Sequence, residues 1–227
     1  MPTLRRRVTF CLSLFGAGFS GMFPLTSKGA TIVNGDFEDG LAAWEIRGSV
    51  AASTGIAVVT DENATASLLF QAVLEEADIV TVEFDFRNAL SDTVPAGRLA
   101  DTFFASLYFT DNLAALDIPA GTYDRAVPLF DLDANGSFNV NGSIGASTKG
   151  ADWSLFRGSF VNTHAFVVPA FELRELNLIN DDSAVALDNV FLIPEGGALS
   201  FALIGGGFLG LGRHRANEPT RGVEASS

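Results

Sequence analysis

The sequence predicts an all-β fold, an antiparallel β-sandwich, and three observations carry that prediction. Residues 79–86 alternate strictly: Val80, Val82, Phe84 and Phe86 fall on one face, and Thr81, Glu83, Asp85 and Arg87 on the other, the two-residue period of a half-buried strand. Comparable runs occupy 56–60, 67–73, 103–109, 126–130, 153–161, 171–179 and 185–193, and stretches rich in Gly, Asn, Asp and Pro part them. The one cysteine of the 227 residues is Cys11, close to the N-terminus, so the body has no disulfide and depends on burial for stability.

In chain order, the first element is a secretory signal peptide over 1–30. Arg5, Arg6 and Arg7 form its positive region, residues 8–25 are mostly apolar, and cleavage falls near Gly29 or Ala30. The β-sandwich domain takes up 31–193. Within it only 74–77 and 111–116 hint at a helical turn. Asp131, Asp133, Asn135 and Gly136 copy the start of a calcium loop, yet the twelfth position is Gly142 and no helical pattern flanks it. A hairpin with Asn135-Gly136 as a type I′ turn is the simpler reading, with Asn141-Gly142 as a second turn.

The far end carries Pro194-Glu195-Gly196, then an apolar, glycine-rich run to Gly212, then Arg213, His214 and Arg215, and a polar tail over 216–227. As a helix, residues 196–212 would rise about 25 Å against a hydrocarbon core of about 30 Å, a short transmembrane helix whose seven glycines weaken it as an anchor. The basic cluster stays cytoplasmic by the positive-inside rule, which places the body outside.

Between residues 31 and 194 stand 24 acidic and 7 basic side chains, within a whole-chain net charge of −13. That surface repels nucleic acid and leaves calcium and neutral glycans as easier partners. Catalytic chemistry has little to work with. His164 is the sole histidine outside the tail, and the chain has no nucleophile-elbow motif and no zinc-ligand spacing. The expectation is therefore a non-enzymatic protein. Trp44 and Trp153 are the only tryptophans; each is either core or part of a sugar-stacking surface.

The arrangement over 194–215 resembles the PEP-CTERM sorting tail of Gram-negative envelope and exopolysaccharide-associated proteins. Pro194 and Glu195 match its first two motif positions, Gly196 stands where a second proline is usual, and Arg213 and Arg215 supply the basic stop. The resemblance implies an inner-membrane-anchored precursor facing the periplasm, an exosortase-like processing enzyme as partner, and a destination at the cell surface or in the extracellular matrix. A second resemblance is to bacterial jelly-roll, galactose-binding-like carbohydrate-binding modules. Asn34-Gly35-Asp36-Phe37-Glu38, Gly40-Leu41 and Trp44 look like their opening strand, and residues 186–192 like their closing one. It implies a structural calcium between the two strands, with Glu38 and Asp188 as candidate ligands, unless these are ordinary strand-end carboxylates. Together these features describe an envelope or biofilm-matrix structural protein, or a glycan-binding module for the cell's own exopolysaccharide, with Trp44 and Trp153 as its candidate contacts.

Overall fold

The computed structural model describes residues 32–62, 64–91, 99–176 and 183–195; the expected signal peptide, Gly196, Arg213, Arg215 and the expected membrane helix lie outside them. Among the described residues thirteen strands, numbered along the chain, form two sheets. One runs in spatial order β1 (Glu45–Arg47), β4 (Ala66–Phe70), β12 (Phe166–Arg174), β7 (Thr102–Thr110), β8 (Arg125–Asp133) and β9 (Gly136–Phe138), with β5 (Val73–Leu74) also on β12. The other runs β10 (Ser143–Ala146), β11 (Ser154–Val161), β6 (Ile79–Ala89), β13 (Ala184–Pro194), β3 (Ile56–Thr60) and β2 (Ser49–Ser53). Every ladder in both is antiparallel. Because β11, β12 and β13 alternate between sheets, the two layers are laced together as in a jelly roll. Among the described residues no helix is long and apolar enough to cross a membrane.

The core is built from the predicted inward positions. Val80, Val82, Phe84 and Phe86 of β6 are all buried between the sheets. Phe84 sits at the centre, its ring 4.9 Å from Phe171 of the opposite sheet in an edge-on contact, 5.2 Å from Phe156 and 5.9 Å from Phe130. Such aromatic pairs add to plain area burial, and they do for this cysteine-free body what cross-links do elsewhere.

Four expectations need correction. Residues 34–38 are not a strand: positive φ at Asn34 (55°) and Phe37 (53°) coils the segment into successive turns. Asn34 holds those turns, its Nδ2 donating to Gly40 O (2.9 Å) and Ala42 O (3.2 Å) while its Oδ1 accepts from Asp39 N (3.0 Å). Residues 74–77 form no helical turn; Val73 and Leu74 pair with β12 instead. The run at 171–179 starts earlier than expected, β12 beginning at Phe166, before Pro169 in the chain, while 177–179 lie outside the described residues. Pro169 is opposite Leu107, and its carbonyl accepts from Gln71 N (3.3 Å). Last, the hairpin joining β8 and β9 exists, but its loop is Ala134-Asn135 and Gly136 (φ 130°) opens the return strand, so it is not a type I′ turn on Asn135-Gly136. The hint at 111–116 does become a 3-10 turn, Leu113–Ala115.

Both ends of the domain meet at one point. Val190 N donates to Gly35 O (2.8 Å), and a Cβ on Gly35 would fall 2.1 Å from Val190 O. Only glycine fits there, so the N-terminal turns dock on β13.

A buried acidic pair sits where β3 ends. Ser183 N donates to both oxygens of Asp61 (3.2 and 3.3 Å), and Ser183 Oγ donates to Asp101 Oδ2 (2.9 Å). Burial first, and the charge of Asp101 second, push Asp61 from 3.8 up to about 6, although the Ser183 amide pulls the other way. A value raised by folding means that the native state holds this proton more tightly than the unfolded chain. The resulting stabilisation is complete below about pH 4 and is lost as pH rises through 6. Asp61→Asn is therefore expected to raise stability at pH 7.5 by on the order of 1–2 kcal/mol and to change it little at pH 4, as read from urea unfolding at both pH values. Equal effects at the two would show that Asp61 does not titrate in this window.

Candidate functional site

The two outward faces of the sandwich differ. On the sheet containing β7 and β12, the segment following β7 folds back as a cover: Ile118 is buried against Leu68, Phe70, Val168 and Ala170, and Tyr123 lies 4.7 Å from Tyr108, ring to ring. Arg47 pins this cover through Asp117 (3.1 Å). Burial raises the Tyr108 hydroxyl above the ordinary tyrosine value.

The face of the sheet containing β6 stays open over rows set by the ladders. Arg157, Glu83 and Phe191 form one row, and Ser159, Thr81 and Ile193 the next. Phe191 is 43 % exposed, Arg157 and Ser159 are exposed, and Arg157 Nε is 3.7 Å from Glu83 Oε2. Thr81 is buried; its hydroxyl donates to Glu195 Oε1 (2.6 Å) and so accepts from Ser159 Oγ (2.7 Å). Phe191 owes its exposure to one extra residue. The register shifts between Asp188 and Phe191, where Asn189 (φ 50°) forms a β-bulge that turns Val190 into the core and Phe191 out.

At the other end of this face, two residues singled out for different reasons meet at a lysine. Lys149 Nζ pairs with Asp188 Oδ2 and lies 4.9 Å from the centre of the Trp153 ring, while the Arg87 guanidinium lies 5.3 Å from the same ring. Trp153 is 7 % exposed beneath these cations. Asp188 faces Asp85 across the ladder; its Oδ1 accepts from Asn189 N (2.6 Å), and Asp85 Oδ2 accepts from Asn189 Nδ2 (2.8 Å). Both oxygens of Asp188 thus hold protein donors, and a calcium ion there would have to displace them. Glu38, with which it was paired in the sequence, lies on the exposed N-terminal turns, close to Gly55.

Trp44 lies in the core, its ring 5.2 Å from Phe37 and its Nε1 donating to Asn34 O (3.0 Å). Neither tryptophan offers an open ring. Pro194 ends β13, and Glu195 is tied down by its N–H to Ile79 O (2.9 Å) as well as by Thr81. Pro194 and Glu195 are therefore held in the sheet beside β6.

Two further groups escaped the sequence. Asp111, Asp124 and His164 offer ligand atoms within 4.8 Å of one another, with His164 Nδ1 3.2 Å from Asp111 Oδ2. The Ala165 amide, then His164, hold the Asp111 carboxyl below its ordinary value. The donor set of one imidazole and two carboxylates suits a transition metal better than the oxygen-rich shell calcium prefers. The second is a cavity of about 320 Å³ lined by Leu74–Asp78 and Asn162–Ala165. Strict alternation through 185–193 would have buried Phe191, and only the Asp188-Asn189 pair, a favoured place for a left-handed residue, hinted at the bulge.

No protein-family model and no curated protein matches the sequence. Among solved structures the chain is similar to a CBM4 structure, at 15% identity and TM-score 0.42 over 72% of this chain and 99% of that one. It is similar to the K3 cleaved adhesin domain of Lys-gingipain from Porphyromonas gingivalis, at 14% and 0.43 over 72% and 98%. A third likeness is to the metal-free lectin I-B4 from Griffonia simplicifolia, at 14% and 0.40 over 71% and 98%.

Proposed function

We propose that this protein is a non-catalytic glycan-binding domain of an exported envelope or matrix protein, docking polysaccharide on the open face of the sheet containing β6 and displayed through the tail over 194–215. The observation that carries this reading is the exposed Phe191 ring, set in register with Glu83 and Arg157 and one row from Ser159. A pyranose presents an apolar C–H face and a rim of hydroxyls. An aromatic ring takes the first, while a carboxylate, a guanidinium and a hydroxyl on a rigid sheet take the second. The adjacent carboxylates Asp85 and Asp188 are engaged with Asn189 and Lys149, which favours binding over hydrolysis. The strongly acidic body supports a matrix role in which divalent cations bridge like-charged partners.

The test is binding of the full-length protein to the producing cell's exopolysaccharide and to defined neutral oligosaccharides, with calcium and with chelator. Phe191→Ala is expected to weaken binding about tenfold or more at an unchanged melting temperature, in line with the ~1–3 kcal/mol worth of an aromatic stacking contact by analogy with base stacking. Binding that survives this change and Arg157→Ala together moves the site elsewhere. No glycan binding under any condition overturns the reading.

A further inference from the structure

The cavity between the β5–β6 and β11–β12 connections is lined by more acidic than basic side chains. Its lining includes three carboxyl-bearing residues, Glu75, Glu76 and Asp78, with His164 as the sole basic one, and His164 directs Nδ1 to Asp111. Glu75 is 1 % exposed. Its Oε1 accepts from Ala77 N (2.8 Å), but Oε2 is buried with no hydrogen-bond partner, the one side-chain atom among the described residues in that state. A buried carboxylate oxygen left unpaired is costly and rare, and where it persists a missing donor is the natural explanation.

The walls around it are fixed in advance. Asn162, itself buried, donates through Nδ2 to Glu75 O (3.0 Å) and Ala77 O (3.2 Å), and its Oδ1 accepts from His164 N (3.0 Å). Glu75 N donates to Ala165 O (2.9 Å) and Asn162 N to Asp78 O (2.7 Å), so the two connections are stitched together along the pocket. Leu74, 53 % exposed, offers an apolar contact at the opening. A volume of about 320 Å³ is at the small end for ligand sites, fitting one sugar ring rather than a chain segment. The pocket sits where β6 and β11 begin and end, on the same strand pair that carries Glu83 and Arg157.

We infer that this pocket takes the ammonium group of an amino sugar, so that the preferred glycan is one with free, non-acetylated amino groups. An ammonium supplies up to three N–H donors and a positive charge, which answers both the unpaired Glu75 oxygen and the surrounding carboxylates. An acetamido group has one weaker donor and added bulk, and a neutral hydroxyl leaves the charge unmatched. The body's 24 acidic against 7 basic residues draw a cationic polymer to the surface in the same sense. This inference rests on the glycan-binding reading and names its ligand class.

The experiment compares binding of the full-length protein to glucosamine oligomers, their N-acetylated counterparts, spermidine and calcium chloride. Glucosamine oligomers are expected to bind at least tenfold more tightly than the acetylated ones, with the preference falling to within twofold in Glu75→Gln, while neutral glycans still bind the Phe191 face. Should Glu75→Gln fail to fold, the pair Glu76→Gln and Asp78→Asn is expected to lower the same preference at least threefold. Equal affinity for both oligomers, or a preference that survives Glu75→Gln, overturns the pocket assignment while leaving the glycan-binding reading intact. Spermidine or calcium displacing the oligomer at equal concentration also overturns it, by assigning the site to a free amine or a metal ion. Failure to bind any glycan removes both.

Discussion

Phe84→Ala will cost about 3–5 kcal/mol of folding stability, as expected for deleting a fully buried aromatic ring from a close-packed core. The ring is 0 % exposed and touches aromatic partners from both layers: Phe86 and Phe156 on its own sheet, Phe130 and Phe171 on the other. Its partners come from four strands, so no single side chain can relax into the space. Domains of this size are stable by roughly 5–15 kcal/mol, and the loss takes a third or more of the lower part of that range. Urea unfolding measures it through the shift in midpoint at constant slope. A change below about 1 kcal/mol would show that the two sheets do not share this ring.

Lys149→Ala comes second, with an expected loss of about 2–4 kcal/mol. Removing one partner from a buried ion pair strands the other, and Asp188 has a 5 % exposed side chain beside Asp85. Lys149 is a quarter exposed, which places the cost somewhat below that of a wholly buried pair. Adding Asp188→Asn to Lys149→Ala is expected to restore at least half of the loss, because the stranded charge is then gone. The same variant uncovers one side of Trp153, so its fluorescence should shift to the red. A double variant no more stable than the single one would mean that the lysine acts through packing on the indole rather than through charge.

How legible this was in the sequence depended on period. Where two-residue alternation held strictly, as in β6, the strand and its buried face followed directly from the residues, and β3, β7 and β11 were legible as strands from their apolar runs. The short edge strands β1, β2 and β10 escaped, because three to five residues with little apolar content leave no periodic signal. The N-terminal turns escaped for a different reason: Asn34 and Phe37 take left-handed backbone that their side-chain pattern does not announce. The candidate site failed at the bulge, where one residue reverses which side chains face out, exposing Phe191 and drawing Asn189 to Asp85. Trp153 and Asp188 were singled out separately, one as a sugar contact and one as a calcium ligand, and the residue that unites them, Lys149, lies in a Gly- and Ser-containing turn with no motif to mark it.

The position of β13 has a mechanical meaning. It is flanked by β6 along nine paired positions and by β3 along four, and the chain leaves it at Pro194, directly before the apolar run. A pull applied downstream of Glu195 runs along the strand axis, across hydrogen bonds that lie perpendicular to it. Those bonds carry the load together in shear instead of opening one after another like a zipper, and the clasp between Val190 and Gly35 adds a stop near mid-strand. A domain pulled through this strand resists extraction far better than one pulled through an edge strand.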